Sequence, residues 1–158
     1  KKIPKWIILI NRKIFLRKAK KVKFTKKIFL DRSSSEFNHC QIYNQKQINK
    51  WIKKNNLNTC KPEKLSLEKQ IYLFNKASIV VGAHGAAFTN IIFCRPGTKI
   101  IEIIPADHPN RKCERISKIL GLKYFRIVTK PDNTNKNFPY RIHLEKKHLK
   151  MINKAINL

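Results

Sequence analysis

Acidic residues are scarce in this sequence: nine Asp and Glu stand against 36 Lys and Arg, which leaves a formal net charge of +27. Such a field draws polyanions, whether nucleic acid, acidic lipid, nucleotide phosphates or acidic glycans. Arginine is scarce as well. Of the basic residues 28 are Lys and eight are Arg, beside 23 Ile and 15 Asn. Surfaces that read bases or clamp phosphates favour arginine, so this excess of Lys, Ile and Asn reads first as compositional bias and solubility. A basic module that binds nucleic acid without catalysis is the alternative reading. It rests on charge alone, because no nucleic-acid motif appears and aromatics do not interleave with the basic runs.

Paired cysteines are missing. Cys40, Cys60, Cys94 and Cys113 lie roughly 20 to 35 residues apart with no C-x-x-C spacing, which argues against a zinc site or a disulfide framework and for reduced thiols in a cytoplasmic protein. Long apolar runs are missing too. Trp6-Ile7-Ile8-Leu9-Ile10 breaks at Asn11, Arg12 and Lys13, far short of the roughly 20 residues that a membrane span needs. No small-residue cleavage site follows it, so it does not read as a signal peptide. Peripheral contact of this basic amphipathic stretch with a membrane surface stays compatible with the pattern. The chain has no G-x-S-x-G elbow, which argues against a hydrolase built on Ser33-Ser34-Ser35 with His84. It opens Lys1-Lys2-Ile3-Pro4 rather than on methionine, so a longer parent protein is expected.

What is present is the makings of one α/β domain. Hydrophobic residues are 42% of the 158, enough for a core. Residues 1–25 read as a basic linker or helix from a preceding domain, with Trp6, Ile7, Ile10, Ile14 and Phe15 as its apolar positions. Residues 26–158 read as the domain itself. Apolar runs at Ile28-Phe29-Leu30, Ser78 to Gly82, Thr98 to Ile104 and Lys123 to Val128 predict buried strands, with a weaker one at Thr59 to Pro62. Helical patterns lie between them: to about Asn56 after an Asn44 cap, after a Ser66 cap with Leu67, Ile71 and Phe74 inward, at 84–93, at 110–120 before Gly121, and at 144–156. A polar loop is expected at 32–44 and another at 130–141. Strands alternating with helices imply a Rossmann-like parallel sheet with helices on both faces, and ligands on such sheets sit outside the carboxyl ends of the strands.

Three segments carry chemistry. In Ile79-Val80-Val81-Gly82-Ala83-His84-Gly85-Ala86-Ala87-Phe88-Thr89-Asn90 a buried strand stops and a Gly/Ala loop opens a helix. Gly82 and Gly85 would let a ligand approach the backbone, and the first amides of the helix would make a phosphate-sized anion site. His84 beside that opening is suited to donating to a diphosphate or moving a proton; as plain structure, it is a surface residue beside a packing glycine. In Phe29-Leu30-Asp31-Arg32-Ser33, an arginine emerges at a strand's carboxyl end, where its fork can grip phosphate; otherwise Asp31 and Arg32 simply pair. Glu102 interrupts an apolar strand. It must stand near the strand end, where it would accept from ribose hydroxyls, or take a partner.

In this order the segments resemble glycosyltransferase family 61. The likeness runs from about Lys26 to Val128 and adds Asn44, Leu65 to Ile71, Phe93-Cys94-Arg95-Pro96-Gly97 and Ile101-Glu102-Ile103. The resemblance implies the C-terminal, donor-binding half of a GT-B-type enzyme that is inverting and metal-independent, transfers a sugar from a nucleotide-sugar to a glycan acceptor, and serves polysaccharide synthesis. A nucleotide-sugar would be a co-substrate, with no cofactor. On this likeness Arg32, Ser33 and His84 face the donor diphosphate with the Gly85 and Ala86 amides, Thr89 and Asn90 line the same pocket, and Glu102 faces the ribose. His84 is the candidate catalytic group and Asp31 a second candidate base. Where many members place an arginine before the helix, this chain has Asn38-His39-Cys40-Gln41-Ile42-Tyr43-Asn44, leaving His39 as the polar group. The acceptor domain is expected to precede this chain.

Overall fold

The computed structural model describes residues 4–23, 26–33, 39–130 and 140–158. Ser34, Ser35 and the greater part of the 130–141 loop lie outside them. In chain order the elements are α1 (Lys5–Leu16), β1 (Lys27–Leu30), α2 (Gln45–Lys54), β2 (Asn58–Cys60), α3 (Leu67–Lys76), β3 (Ile79–Ala83), a 3₁₀ helix (Ala86–Phe93), β4 (Lys99–Pro105), α4 (Lys112–Leu120), β5 (Lys123–Thr129) and α5 (Lys146–Asn157). The five strands form one sheet in the order β2-β1-β3-β4-β5, and all its pairs are parallel. The expected α/β, Rossmann-like arrangement is therefore the one observed.

Alternation along the strands divides the core into two layers. Ile28, Leu30, Val80 and Ile100 face α1, α3, the 3₁₀ helix and α4, through Ile8, Phe74, Phe88 and Ile116. Phe29, Val81, Ile101 and Ile127 face α2 and α5, through Ile48, Trp51, Ile152 and Ile156. Both faces of the sheet are covered, which is why its central strands read as unbroken apolar runs.

Several local expectations change. The segment after β3 is a 3₁₀ helix from Ala86, not an α-helix from His84. Asn44 stands at the α2 N-cap without capping it; its amide instead donates to the Leu144 carbonyl (2.9 Å) and its oxygen accepts the Leu144 N–H (3.1 Å), clamping the chain before α5. Ser66 likewise makes no side-chain cap bond. Gly121 does end α4, with φ +66 in the left-handed region that glycine adopts most readily. Helix α1 buries Ile8 and packs Phe15 edge-on against Phe93, while Trp6, Ile10 and Ile14 of the expected inner stripe are exposed. Arg12 ties α1 to the 3₁₀ helix through the Ile92 carbonyl (2.6 Å).

Candidate active site at the β1 and β3 ends

The chain turns from β1 to one side of the sheet for β2 and to the other side for β3. A crevice for ligands is expected at that reversal, outside the carboxyl ends of β1 and β3. Arg32 follows β1, and His84 with Gly85 follows β3. The two meet: a Cβ built on Gly85 would lie 1.1 Å from Arg32 Nη1. Gly85 has an extended backbone (φ 168, ψ 179), so close approach, not φ, requires glycine here. Arg32 also donates through Nη2 to the His39 carbonyl (3.1 Å). Burial lowers its pKa from the ordinary value. The 3₁₀ helix starts at the next residue, and Phe88 closes its first turn onto the Gly85 carbonyl (3.0 Å).

His84 is buried and its ring is anchored. Nδ1 lies 2.5 Å from Glu102 Oε1, and the Tyr124 hydroxyl donates to Glu102 Oε2 at 2.5 Å. Glu102 is 1% exposed. Burial alone would raise its pKa, but the bonds from His84, Tyr124 and Cys113 outweigh burial and hold it below the ordinary value. The same contacts and burial push the Tyr124 hydroxyl and the Cys113 thiol up. Glu102 is therefore a carboxylate whose two oxygens are committed within the protein. It stands behind His84, the partnered alternative that the sequence left open for a carboxylate in an apolar strand. With Glu102 as acceptor, the neutral His84 ring carries its proton on Nδ1 and presents the Nε2 lone pair.

The remaining expected site residues make the following contacts. Gly82 is inside β3, paired with Leu30, and its missing side chain makes room for the Leu30 Cβ (2.8 Å from a built Cβ), so it packs the two strands together. Asn90 donates to Gln70 on α3 (2.8 Å). Ser33 and Asp31 form a turn of their own: Asp31 Oδ1 accepts the Ser33 N–H (2.8 Å), and Lys61 reaches Ser33 Oγ (3.0 Å) and Asp31 Oδ2 (3.5 Å). Asp31 thus pairs with Lys61, not Arg32. Ala86 and Thr89 are exposed on the first turns of the 3₁₀ helix.

Sequence reasoning missed His108 and Tyr140. Together with His39 they crowd His84: the ring centroids of His84 and His108 are 4.4 Å apart, and Tyr140 packs at 4.9 Å from His108 and 5.3 Å from His39. Burial first, then the charges of neighbouring groups, lowers the His39 pKa and takes that of His108 down to about 4. The available signal was position, because His108 leaves the carboxyl end of β4 beside the crevice. Tyr124 carried no such signal, since its contact with Glu102 depends on the β4–β5 register.

A sequence model of glycosyltransferase 61 matches residues 2–101. A beta-1,2-xylosyltransferase of Arabidopsis thaliana is 38% identical over 60 residues, which are 38% of this chain and 11% of that protein. A beta-1,2-xylosyltransferase of Oryza sativa subsp. japonica is 33% identical over 63 residues, 40% of this chain and 12% of its own length. The matched stretch is thus a small part of those relatives, while the family match takes in α1, the β1 end, β3 and the start of β4. By that match over more than half its length, the chain belongs to glycosyltransferase family 61.

Proposed function

We propose that this chain is the donor-binding part of a GT-B-type glycosyltransferase that moves a sugar from a nucleotide-sugar to a glycan hydroxyl with inversion. The observation that carries this reading is the seat at Gly85, where Arg32 reaches the start of the 3₁₀ helix beside His84. A guanidinium and unpaired helix amides on one spot suit a diphosphate. The acceptor oxygen attacks the anomeric carbon, the bond from that carbon to the diphosphate oxygen breaks, and the electron pair leaves with the nucleoside diphosphate. Arg32 and the amides around Ala86 stabilise the charge that builds there, so the displacement itself needs no metal ion. His84, held by Glu102, turns Nε2 toward the leaving group; having taken a proton there from solvent, it donates to the departing oxygen, and the carboxylate behind it offsets the charge of the protonated ring. A base for the acceptor's proton comes from the part of the enzyme across the cleft. The cavity beside Arg32 holds about 100 Å³, against roughly 300–1,000 Å³ for ordinary ligand pockets, so the rest of the donor and the acceptor rest on a facing domain.

The test is titration calorimetry with a panel of nucleoside diphosphates, followed by transfer assays on the full-length enzyme. Arg32→Ala is expected to weaken diphosphate binding by about 10-fold or more, as a lost charge-assisted bond of roughly 1.5–3 kcal/mol implies, and to slow transfer by about 10²-fold. Wild-type transfer by Arg32→Ala would sink the assignment. No diphosphate binding, together with tight and steeply salt-dependent RNA or DNA binding, would turn the reading to the nucleic-acid module.

A further inference from the structure

We propose that His39, Cys40 and His108 form a binding site for one divalent transition ion of the zinc class, held by two imidazole Nε2 atoms and one thiolate. The argument begins with distances. A tetrahedral ion at about 2.0–2.1 Å from nitrogen and 2.3 Å from sulfur demands a nitrogen–nitrogen edge near 3.3 Å and a nitrogen–sulfur edge near 3.6 Å. Here His39 Nε2 lies 3.1 Å from His108 Nε2, and Cys40 Sγ lies 3.8 Å from His39 Nε2. The three ligand atoms all fall within 4.8 Å of one another. Side chains of consecutive residues diverge along extended chain. Cys40 escapes that rule because its backbone is left-handed, with φ 55, a conformation that non-glycine residues seldom adopt. Two imidazoles and a thiolate suit zinc, cobalt or nickel better than the hard cations magnesium and calcium, and three protein ligands leave the fourth position to a small ligand such as water.

A second group, His84, Glu102 and Cys113, also converges, but it is closed by protons. Its His84–Glu102 separation of 2.5 Å is a hydrogen bond, shorter than any edge a metal would leave. The proposed site has its own proton arrangement. His108 Nδ1 accepts the Asn110 N–H at 3.3 Å, which puts the His108 proton on Nε2, pointing at His39. Loading moves that proton to Nδ1 and gives up the long Asn110 contact. The Cys40 thiol, pushed up to about 12 by burial, loses its proton to solvent, so each bound ion releases one proton. The ion then staples the loop before α2 to the loop after β4, the two rims that stand over His84. The displacement proposed above does not use it.

Cobalt(II) titration of the full chain tests this. The expected result is one ion per folded molecule, with a thiolate-to-cobalt charge-transfer band in the near ultraviolet. Cys40→Ala removes the band and weakens binding by at least tenfold, His39→Ala weakens it comparably, and Cys113→Ala leaves the band in place. Zinc raises the melting temperature of the wild type and not of His39→Ala. Folded wild-type protein that takes up no cobalt, or a band that survives in Cys40→Ala, overturns the proposal. Diphosphate binding measured in chelator reports on the glycosyltransferase reading separately.

Discussion

Gly85 is defined by what its absent side chain leaves room for. A methyl group there would collide with the tip of Arg32, at 1.1 Å from Nη1 and 2.2 Å from Cζ. That tip is the far end of a flexible chain, so it can swing away at small cost. Gly85→Ala is therefore expected to fold with a stability loss under about 1 kcal/mol, yet to weaken diphosphate binding about as much as Arg32→Ala does. Denaturant unfolding and calorimetry on the same preparation check both halves; a variant that binds normally would remove Arg32 from the site. Glu102 shows how far one residue's surroundings can change its role. Its place in an apolar strand forced either a strand-end position or a partner, and that much followed from desolvation. Which of the two held was decided by Tyr124 and His84, residues that only the folded sheet brings together.

At the scale of elements, the strands were readable because a sheet covered on both faces writes continuous apolar runs, as at Ile28-Phe29-Leu30 and Ile79-Val80-Val81. Meeting of the β1 and β3 ends was readable too, through the order of segments and the strand-end rule. The 3₁₀ form of 86–93 was not, because its apolar spacing fits an α-helix equally well. Nor was the clustering of His39 with His108, which lie 69 residues apart and meet through two loops. The β1–β3 contact carries its own prediction. At Gly82 the obstructing atoms are Leu30 Cβ at 2.8 Å and the Leu30 carbonyl at 3.2 Å, one of them backbone. Gly82→Ala must push the two strands apart, and it should lose about 1–3 kcal/mol of stability as overpacked cores do, measured by urea unfolding. The opposite behaviour of two nearby glycines, one between strands and one at the proposed diphosphate seat, separates packing from binding.

At the scale of the whole molecule, acid should be the weak direction. Glu102 holds its folded pKa below its ordinary value. Its contribution is fully present above about pH 4.5 and is lost as the pH falls through the lowered folded value, because the unfolded chain takes up the proton first. Every proton also adds to a chain already at +27, which raises self-repulsion in the compact state. Stability measured from pH 7 to 3 should fall steeply below about pH 4.5, and Glu102→Gln, though less stable at neutral pH, should show a shallower decline. Equal acid slopes in the two proteins would mean that Glu102 is not the carboxylate that counts.

The sheet order has a mechanical side. β1 and β3 are laddered through four consecutive registered pairs, Lys27 with Ile79 to Leu30 with Gly82. Their ends are stiff posts, and Arg32 and Gly85 each stand only two residues beyond them. The pair keeps its spacing through any hinge or breathing motion that leaves the ladder intact. If the enzyme closes on its substrates, the stroke falls to the rim loops and to whatever lies opposite, while the proposed seat at Arg32 and Gly85 works as a fixed jaw.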